Sequence, residues 1–583
     1  MIFLKKIELA LAIALIAALS ACAGTPAQPP CDANRLNIQD CPPANAVVDE
    51  TVAKQQAQRR WHKPNELGFD PIEIGLKKEA PVQRAQMRII GSSYDHSVRS
   101  LAAKIWLIDH AQHTVDAIYY IFKRDMVGYA VLGALCEAVQ RGVDVRLMVD
   151  SLGSVNISHS EMKALSNCAI DGGFVKNAKG EVTTTKARAQ VVVFNAVSKV
   201  FVNYNRRSHD KVLVIDGAYP TKAWAMTGGR NISLDYYGLS ADGSPDPTAY
   251  KDMEILLRPA KGVGESAEES IGLLTEHYYS ILFSHNRNKQ LSSTLAYQGQ
   301  RDKFKSELAT LRGISDFDTA YREMPEYLAD LKQGDARLAH ELVNLTNVDV
   351  VNAYDSNRER NPNSIMGLLN SIEPGTGVIR IVSPYLFIGR YERTDGTVYK
   401  DGKDNLLTWL EKYPESRVEI VTNSVLTSDN PFAQSMIDMD TAPRLLLNKE
   451  QKKQWRDRKL ANSEYNVELL TSPLWQQMVN NPQVKIYQTG RNDSVLLGGD
   501  TYYGKLHAKF VLLGEMGGFV GTSNFDYRSI LYNNEVGYFF DSEPLAKDLL
   551  QEFETLKSQS LLWGTPEWLE MRKQLLSIGG SKA

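Results

Sequence analysis

Two stretches of this 583-residue chain place a histidine two residues before a lysine: His209 and Lys211 in SHDKVLVID, and His507 and Lys509 in LHAKFVLLG. Each is followed by a glycine turn ending in asparagine: Gly228, Gly229 and Asn231 in TGGRN, then Gly521, Thr522 and Asn524 in GTSN. Each then runs on to an acid, Asp252 in YKDMEILLR and Glu535 in NNEVGYFF. Imidazoles can attack or move protons near neutral pH, and lysine ammonium groups neutralise anionic oxygens. Amide and hydroxyl donors meet charge that builds in a transition state, and a carboxylate beside an imidazole orients it. One His-x-Lys pair carries little weight, because a strand histidine is usually a packed residue. A complete set written twice carries far more.

The elements that must position these groups read as alternating α and β. KVLVID and AKFVLLG are apolar runs of strand length, so each histidine and lysine sits at a strand's beginning, two apart and on one side. VRSLAAKIWLIDHAQH has helical apolar spacing, TVDAIYYIF follows as a strand, GYAVLGALCEAVQRG as a helix and VDVRLMVD as a strand. The grammar restarts at GVIRIVSPYLF, NLLTWLEKY and SRVEIVTNS. Strand, helix, strand predicts parallel strands in a sheet covered by helices, an α/β fold in two βαβ-rich halves.

With these residues in place, the sequence resembles the phospholipase D superfamily, whose double motif is HxKx4D followed by GSxN or a close variant. VDAIYYIFKRDMVGYAVLGALCEAVQRGVDVRLMVD, SPY at 383–385, TNS at 422–424 and GTSNFDYRS at 521–529 are similar to bacterial cardiolipin synthases. The first copy matches at His209, Lys211 and Asp216, with eleven residues before its glycine turn where the family has six. The second keeps the six-residue loop, His507, Lys509 and Asn524, but Gly514 replaces the motif aspartate. In the family that aspartate is more structural than catalytic, so the change questions local strand support rather than chemistry.

The resemblance implies one site at a pseudo-two-fold interface, each motif supplying half. His209 is expected to attack phosphorus, as the family assigns the N-terminal histidine, giving a phosphohistidine; His507 is expected to protonate the leaving oxygen and then deprotonate the acceptor. The sequence alone does not break that symmetry. Lys211 and Lys509 would neutralise nonbridging oxygens, Asn231, Asn524 and Thr522 would donate hydrogen bonds, Gly229 would border the substrate, and Asp252 and Glu535 would orient the imidazoles. No metal and no cofactor is expected, consistent with the family's metal-independent mechanism.

Composition narrows the partners. Lys plus Arg total 66 against 69 Asp plus Glu, a net charge of −3, which argues against a dedicated nucleic-acid binder. Lys5 and Lys6 precede an apolar run over 9–19, too short for a membrane span, and LSAC ends at Cys22. This is similar to a lipobox with Cys22 as the lipidated residue; the alternative is an ordinary secretion signal. Ala23 after the cysteine fits the sorting pattern of outer-membrane lipoproteins. The expected location is therefore the bacterial envelope, facing the periplasm.

The predicted divisions are a signal peptide over 1–21, a lipidated tether over 22–84, one half over 85–284, a helical connection over 285–345 and a second half over 346–575. Residues 436–463 read as an insertion, a lid or a membrane-facing helix with Leu445, Leu446, Leu447 and Trp455 as apolar contacts. KKQWRDRK at 452–459 is either a headgroup-binding run or a solvated helix face. Cys31 with Cys41, and Cys136 with Cys168, could each pair in an oxidising compartment, or remain free thiols in the second case. His110 and His113 near Asp109 are expected to face solvent on a helix rather than bind metal. TGGRN lacks the GK[ST] ending of a nucleotide loop.

The leading expectation is a membrane-tethered phosphatidyltransferase or phospholipase D acting on phospholipid, with cardiolipin as product. The alternatives are an exported phosphodiesterase or nuclease of the same superfamily, and a catalytically silent scaffold lipoprotein.

Overall fold

The computed structural model describes residues 41–63, 66–154, 159–196, 205–262, 269–372, 375–385, 390–401, 403–461 and 470–580. The signal segment, Cys22 and Cys31 lie outside the described residues.

Among the described residues sixteen strands form one sheet. The first eight are β1 (Gln83–Ile90), β2 (Thr114–Tyr119), β3 (Asp144–Asp150), β4 (Ala189–Phe194), β5 (Lys211–Ile215), β6 (Trp224–Gly228), β7 (Glu254–Pro259) and β8 (Lys289–Leu291). The second eight are β9 (Lys332–His340), β10 (Val378–Val382), β11 (Arg417–Thr422), β12 (Val484–Thr489), β13 (Phe510–Leu513), β14 (Gly517–Gly521), β15 (Val536–Asp541) and β16 (Ser560–Leu562). Their spatial order is β8-β4-β3-β2-β5-β6-β7-β1-β9-β15-β14-β13-β10-β11-β12-β16. Read outward from the central antiparallel β1–β9 pair, the two sides repeat the same plan. The β2–β3–β4 and β10–β11–β12 sets run parallel, as the strand–helix–strand grammar requires.

Helices cover both faces. Met126–Gln140 joins β2 to β3 and is buried along nearly its whole length, held by Asp125, whose side chain accepts from Gly128 N–H. Cys136 on this helix and Cys168 form a disulfide with Cα atoms 5.4 Å apart. Helices Ile271–Phe283 and Glu543–Ser558 lie on the sheet's middle and share one core with Ile89, Leu257, Leu338, Val520 and Tyr538. Because that core draws on both sides of the sheet, the two halves do not close separately.

Several expectations are corrected here. Residues 285–345 are not a plain connection: helix Gln298–Arg312 contributes Phe304, Leu308 and Leu311 to the first half's core, and β9 is a central strand. The second half of the sheet accordingly begins at Lys332, not 346. Leu445, Leu447 and Trp455 are buried in a core with Trp475, Trp563 and Trp568, so they are not available to a membrane. His113 lies beyond the end of helix Tyr94–His110 and is buried, stacked on Tyr219 with centroids 3.7 Å apart.

Candidate active site

The two motifs meet at strand ends: His209 and Asp252 lie just before β5 and β7, and His507 and Glu535 just before β13 and β15. The backbone itself makes the junction: His209 N–H donates to Asn534 O at 2.9 Å, and His507 N–H donates to Lys251 O at 2.8 Å. Asn534 and Lys251 are the residues immediately before the two acids. Each histidine is thus fastened to the strand that carries the other half's carboxylate.

The carboxylates follow that crossing. His209 Nδ1 lies 2.9 Å from Glu535 Oε2 and 3.1 Å from Thr522 O, and His507 Nδ1 lies 2.6 Å from Asp252 Oδ2. A backbone carbonyl can only accept, so His209 carries its proton on Nδ1 and leaves Nε2 with its lone pair free. Neither Nε2 is hydrogen-bonded among the described residues. Burial pushes the His507 imidazole down, Lys509 adds to that, and the pair of effects brings it to about 4 against the pull of Asp252. His209 is likewise lowered by burial, which Glu535 opposes. Burial alone would raise Asp252 and Glu535, but the histidines and lysines around them hold both below the ordinary carboxylate range. At neutral pH the site therefore pairs neutral imidazoles with ionised acids.

The lysines are buried between the same acids. Lys211 Nζ donates to His209 O at 2.6 Å, and Lys509 Nζ donates to His507 O and stands 2.9 Å from His507 Nδ1. Nδ1 has one hydrogen, which the shorter Asp252 contact claims, so the Lys509 approach is a close packing of charge on a ring rather than a second hydrogen bond. Burial, chiefly, lowers Lys211 to about 7 and Lys509 to about 8. An anion brought between them would favour their charged forms.

The remaining sequence-predicted residues divide. Asn524 Oδ1 is buried without a partner among the described residues, while its backbone O accepts from Ser383 Oγ at 2.6 Å. Asn231 is already engaged: Oδ1 accepts from Ile121 N–H and Nδ2 donates to Tyr236 OH, both at 2.9 Å. The Thr522 hydroxyl donates to Glu535 Oε2 at 2.6 Å, so it steadies the acid and is not pointed at a substrate. Gly229 serves packing: a Cβ there would fall 2.0 Å from Asp252 Oδ1. Asp216 accepts from the N–H groups of Gln112, His113 and Thr114 at 3.0, 2.7 and 2.8 Å, tying the start of β2 to the end of β5. Asp216 and Gly514 share a left-handed turn, with φ of 48° and 66°, and both N–H groups bond across to the neighbouring strand's start. In the second half Ser416 Oγ accepts from Gly377 N–H at 3.1 Å, so a serine does part of the missing aspartate's work. The extra loop residues of the first motif are confined to the β5–β6 turn.

Sequence reasoning missed the groups that frame this set. Tyr120 stands edge-on to His209, with centroids 4.9 Å apart; Tyr236 and Tyr250 stand edge-on to His507 at 5.4 and 5.1 Å. Ser529 Oγ donates to Glu535 Oε1 at 2.8 Å, and Asn423 brackets Leu506 through N–H and C=O contacts of 3.0 and 2.9 Å. Both belong to the short phrases TNS and GTSNFDYRS, which gave a signal without a role. The tyrosines carried none, since tyrosine is common in any core.

The duplicated sheet and the crossed histidine–acid pairs define a phospholipase D-like enzyme, and the chain carries two copies of a phospholipase D-like domain. The family model described as cardiolipin synthase, PLD-like domain, matches twice, over residues 105–241 and 413–557. Among curated proteins the chain is similar to cardiolipin synthase C of Escherichia coli K12, 22% identical over 79% of this chain and 83% of the relative. It is also similar to a cardiolipin synthase of Geobacillus sp. WCH70, 27% identical over 33% of this chain and 35% of that one. Among solved structures it resembles phosphatidylserine synthase of Haemophilus influenzae, with a TM-score of 0.47 and 12% identity, covering 88% of this chain and 97% of that one.

Proposed function

We propose that this chain transfers phosphatidyl groups between glycerophospholipids at a membrane surface, with cardiolipin as product. The observation that carries the reading is the crossed geometry: two histidines held through Nδ1 by acids from opposite halves, around two buried lysines, with each Nε2 and Asn524 Oδ1 unpartnered among the described residues.

Phosphodiesters resist attack because their anionic oxygens repel nucleophiles and an alkoxide leaves poorly. Lys211 and Lys509 meet those oxygens. His209 Nε2 donates its lone pair to phosphorus as the P–O bond to the headgroup breaks, and His507 Nε2–H supplies the proton that the leaving oxygen takes. Glu535 stabilises the cationic phosphohistidine through Nδ1–H. A phosphatidylglycerol hydroxyl then gives its proton to His507 and its oxygen to phosphorus, releasing His209. Water in its place would yield phosphatidic acid. Protonating His507 from a resting value of about 4 requires the substrate's negative charge, so the acid is armed by binding. Anchoring through Cys22 would keep the enzyme at the lipid surface. The near-even charge count and the similarity to cardiolipin synthases support lipid over nucleic acid.

The test is mass spectrometry of lipids after incubating the protein with vesicles of phosphatidylethanolamine and phosphatidylglycerol, beside a His209→Ala control. Cardiolipin formed only by the parent supports transfer. Phosphatidic acid alone makes it a hydrolase, and unchanged lipids overturn the reading.

A further inference from the structure

A second cluster of donors lies outside the two motifs. The hairpin of strands Arg390–Glu392 and Val398–Asp401 places Tyr391 directly opposite Lys400, on one face. Lys400 Nζ and Tyr391 OH are both shut off from solvent, and neither has a hydrogen-bond partner among the described residues. Arg358 acts on Lys400 with like charge and is hydrogen-bonded to Tyr354. Arg358 lines a small cavity with Glu341, Asn347, Tyr354, Met366 and Ile530.

A buried ammonium and a buried phenol on one hairpin face, with no hydrogen-bond partner among the described residues and a guanidinium near enough to act on the ammonium, make an arrangement that native structures seldom carry without a ligand. Two acids face the cluster. Glu341 already accepts from Ser364 Oγ and Met366 N–H, and Asp526 caps the helix Tyr527–Leu531 through Ser529 N–H. Burial raises the Glu341 carboxyl to about 7, so near neutrality it can be protonated and donate rather than repel. Burial, with Arg358, lowers Lys400 to about 8, as expected of an ammonium awaiting a counter-ion.

We propose that Lys400, Tyr391 and Arg358 form a second anion site of the phosphate class, separate from the histidine–lysine centre. It stands just behind that centre: Glu341 N–H donates to Glu535 O at 2.9 Å, and Asn344, which lines the same cavity, donates to Ser529 O at 3.1 Å. Occupancy would therefore be felt by the acid that orients His209. The ligand is either free phosphate or the phosphate of a lipid headgroup that is not reacting. This site does not depend on the catalytic reading.

The full chain carrying His209→Ala, which halts turnover, is titrated by calorimetry with inorganic phosphate and separately with dihexanoyl phosphatidylglycerol. Two equivalents are expected, falling to one when Lys400→Met is added, or weakening at the second site at least tenfold. Loss with phosphate alone assigns a free anion; loss with the lipid assigns a headgroup. Arg358→Gln, checked for an unchanged melting curve, guards against a fold defect in Lys400→Met and should show the same loss. Identical stoichiometry and affinity in parent and both variants overturns the site.

Discussion

His209 Nδ1 and Glu535 Oε2 stand 2.9 Å apart although 326 residues separate them in the chain. The converse pair, His507 and Asp252, closes at 2.6 Å across 255 residues. Each half thus brings a histidine and borrows a carboxylate. The phrase is written twice because neither copy completes its own imidazole–acid pair.

Glu535→Gln keeps the shape and removes the charge that orients and stabilises a cationic His209. We expect kcat/KM to fall about 10²–10⁴-fold with a folded chain. Steady-state kinetics with a circular dichroism melt checks both parts. Asp252→Asn should behave alike, and near-parental turnover in either variant would sink the crossed-pair account.

The lysines give a pH signature. Lys211 and Lys509 titrate near 7 and 8 in the folded chain, below the ordinary 10.5, chiefly through burial. The unfolded chain binds more protons over that window, so these groups make folding more favourable as pH rises from about 7 towards 10.5. A bound phosphodiester works in reverse, because it needs both ammonium groups charged. Its affinity should drop as pH passes 7–8, and binding at pH 8 should take up protons. Calorimetry of His209→Ala with dihexanoyl phosphatidylglycerol, in buffers of different ionisation enthalpy, measures that uptake; none would refute it.

Gly229 and Gly514 should separate sharply. A Cβ at Gly229 meets Asp252 Oδ1 at 2.0 Å and its Cγ at 2.6 Å, whereas at Gly514 it meets open space at a φ of 66°. Gly229→Ala is expected to displace Asp252 from His507 and cut turnover at least about a hundredfold. Gly514→Ala should lose only about 1 kcal/mol of stability and keep parental turnover. Equal turnover in the two variants would remove the packing role given to Gly229.

Much of this was legible because buried strands preceded by polar pairs at fixed spacing are rare in chance sequence. His209, Lys211, His507, Lys509 and both asparagines could be named, and so could the βαβ units that hold them. The crossing could not be read, since it depends on how β1 meets β9. β9 itself was misread as part of a helical connection: KQGDARLAH is polar at its outer end and buried only from Ala336 onward, apart from Arg337. Helix Lys449–Ala461 misled for a similar reason. Eight of its thirteen residues are charged, yet Trp455 turns inward and makes it part of a core.

The N-terminal segment contributes a buried arginine that sequence reading passed over. Arg59 bonds Asp116 at 2.7 and 2.9 Å, Asp144 at 3.1 Å and Glu276 at 2.5 Å. Burial would raise both aspartates, but Arg146, Arg188 and Arg59 hold them below their ordinary value. Depressed carboxylates stabilise the fold above their unfolded pKa, and that contribution is lost as pH falls through the folded one. Arg59→Met should cost about 3–5 kcal/mol, since it strands buried charge, and should move acid unfolding to higher pH. Urea unfolding across pH 3–7 reads both; an unchanged acid midpoint would contradict the compensation.

The segment around Trp455 decides between a lid and a core. Trp455 lies 6.0 Å from Trp475, which lies 5.1 Å from Trp563, itself 5.4 Å from Trp568. Removing one member of such a stack opens a cavity that neighbouring rings cannot fill, so Trp455→Ala should cost about 3–5 kcal/mol. A lid would respond differently, losing activity on vesicles while sparing a soluble short-chain lipid and the melting temperature. We expect the melting temperature to drop, and activity on both substrates to fall in proportion to the unfolded fraction. A selective loss on vesicles at an unchanged melting temperature would restore the lid.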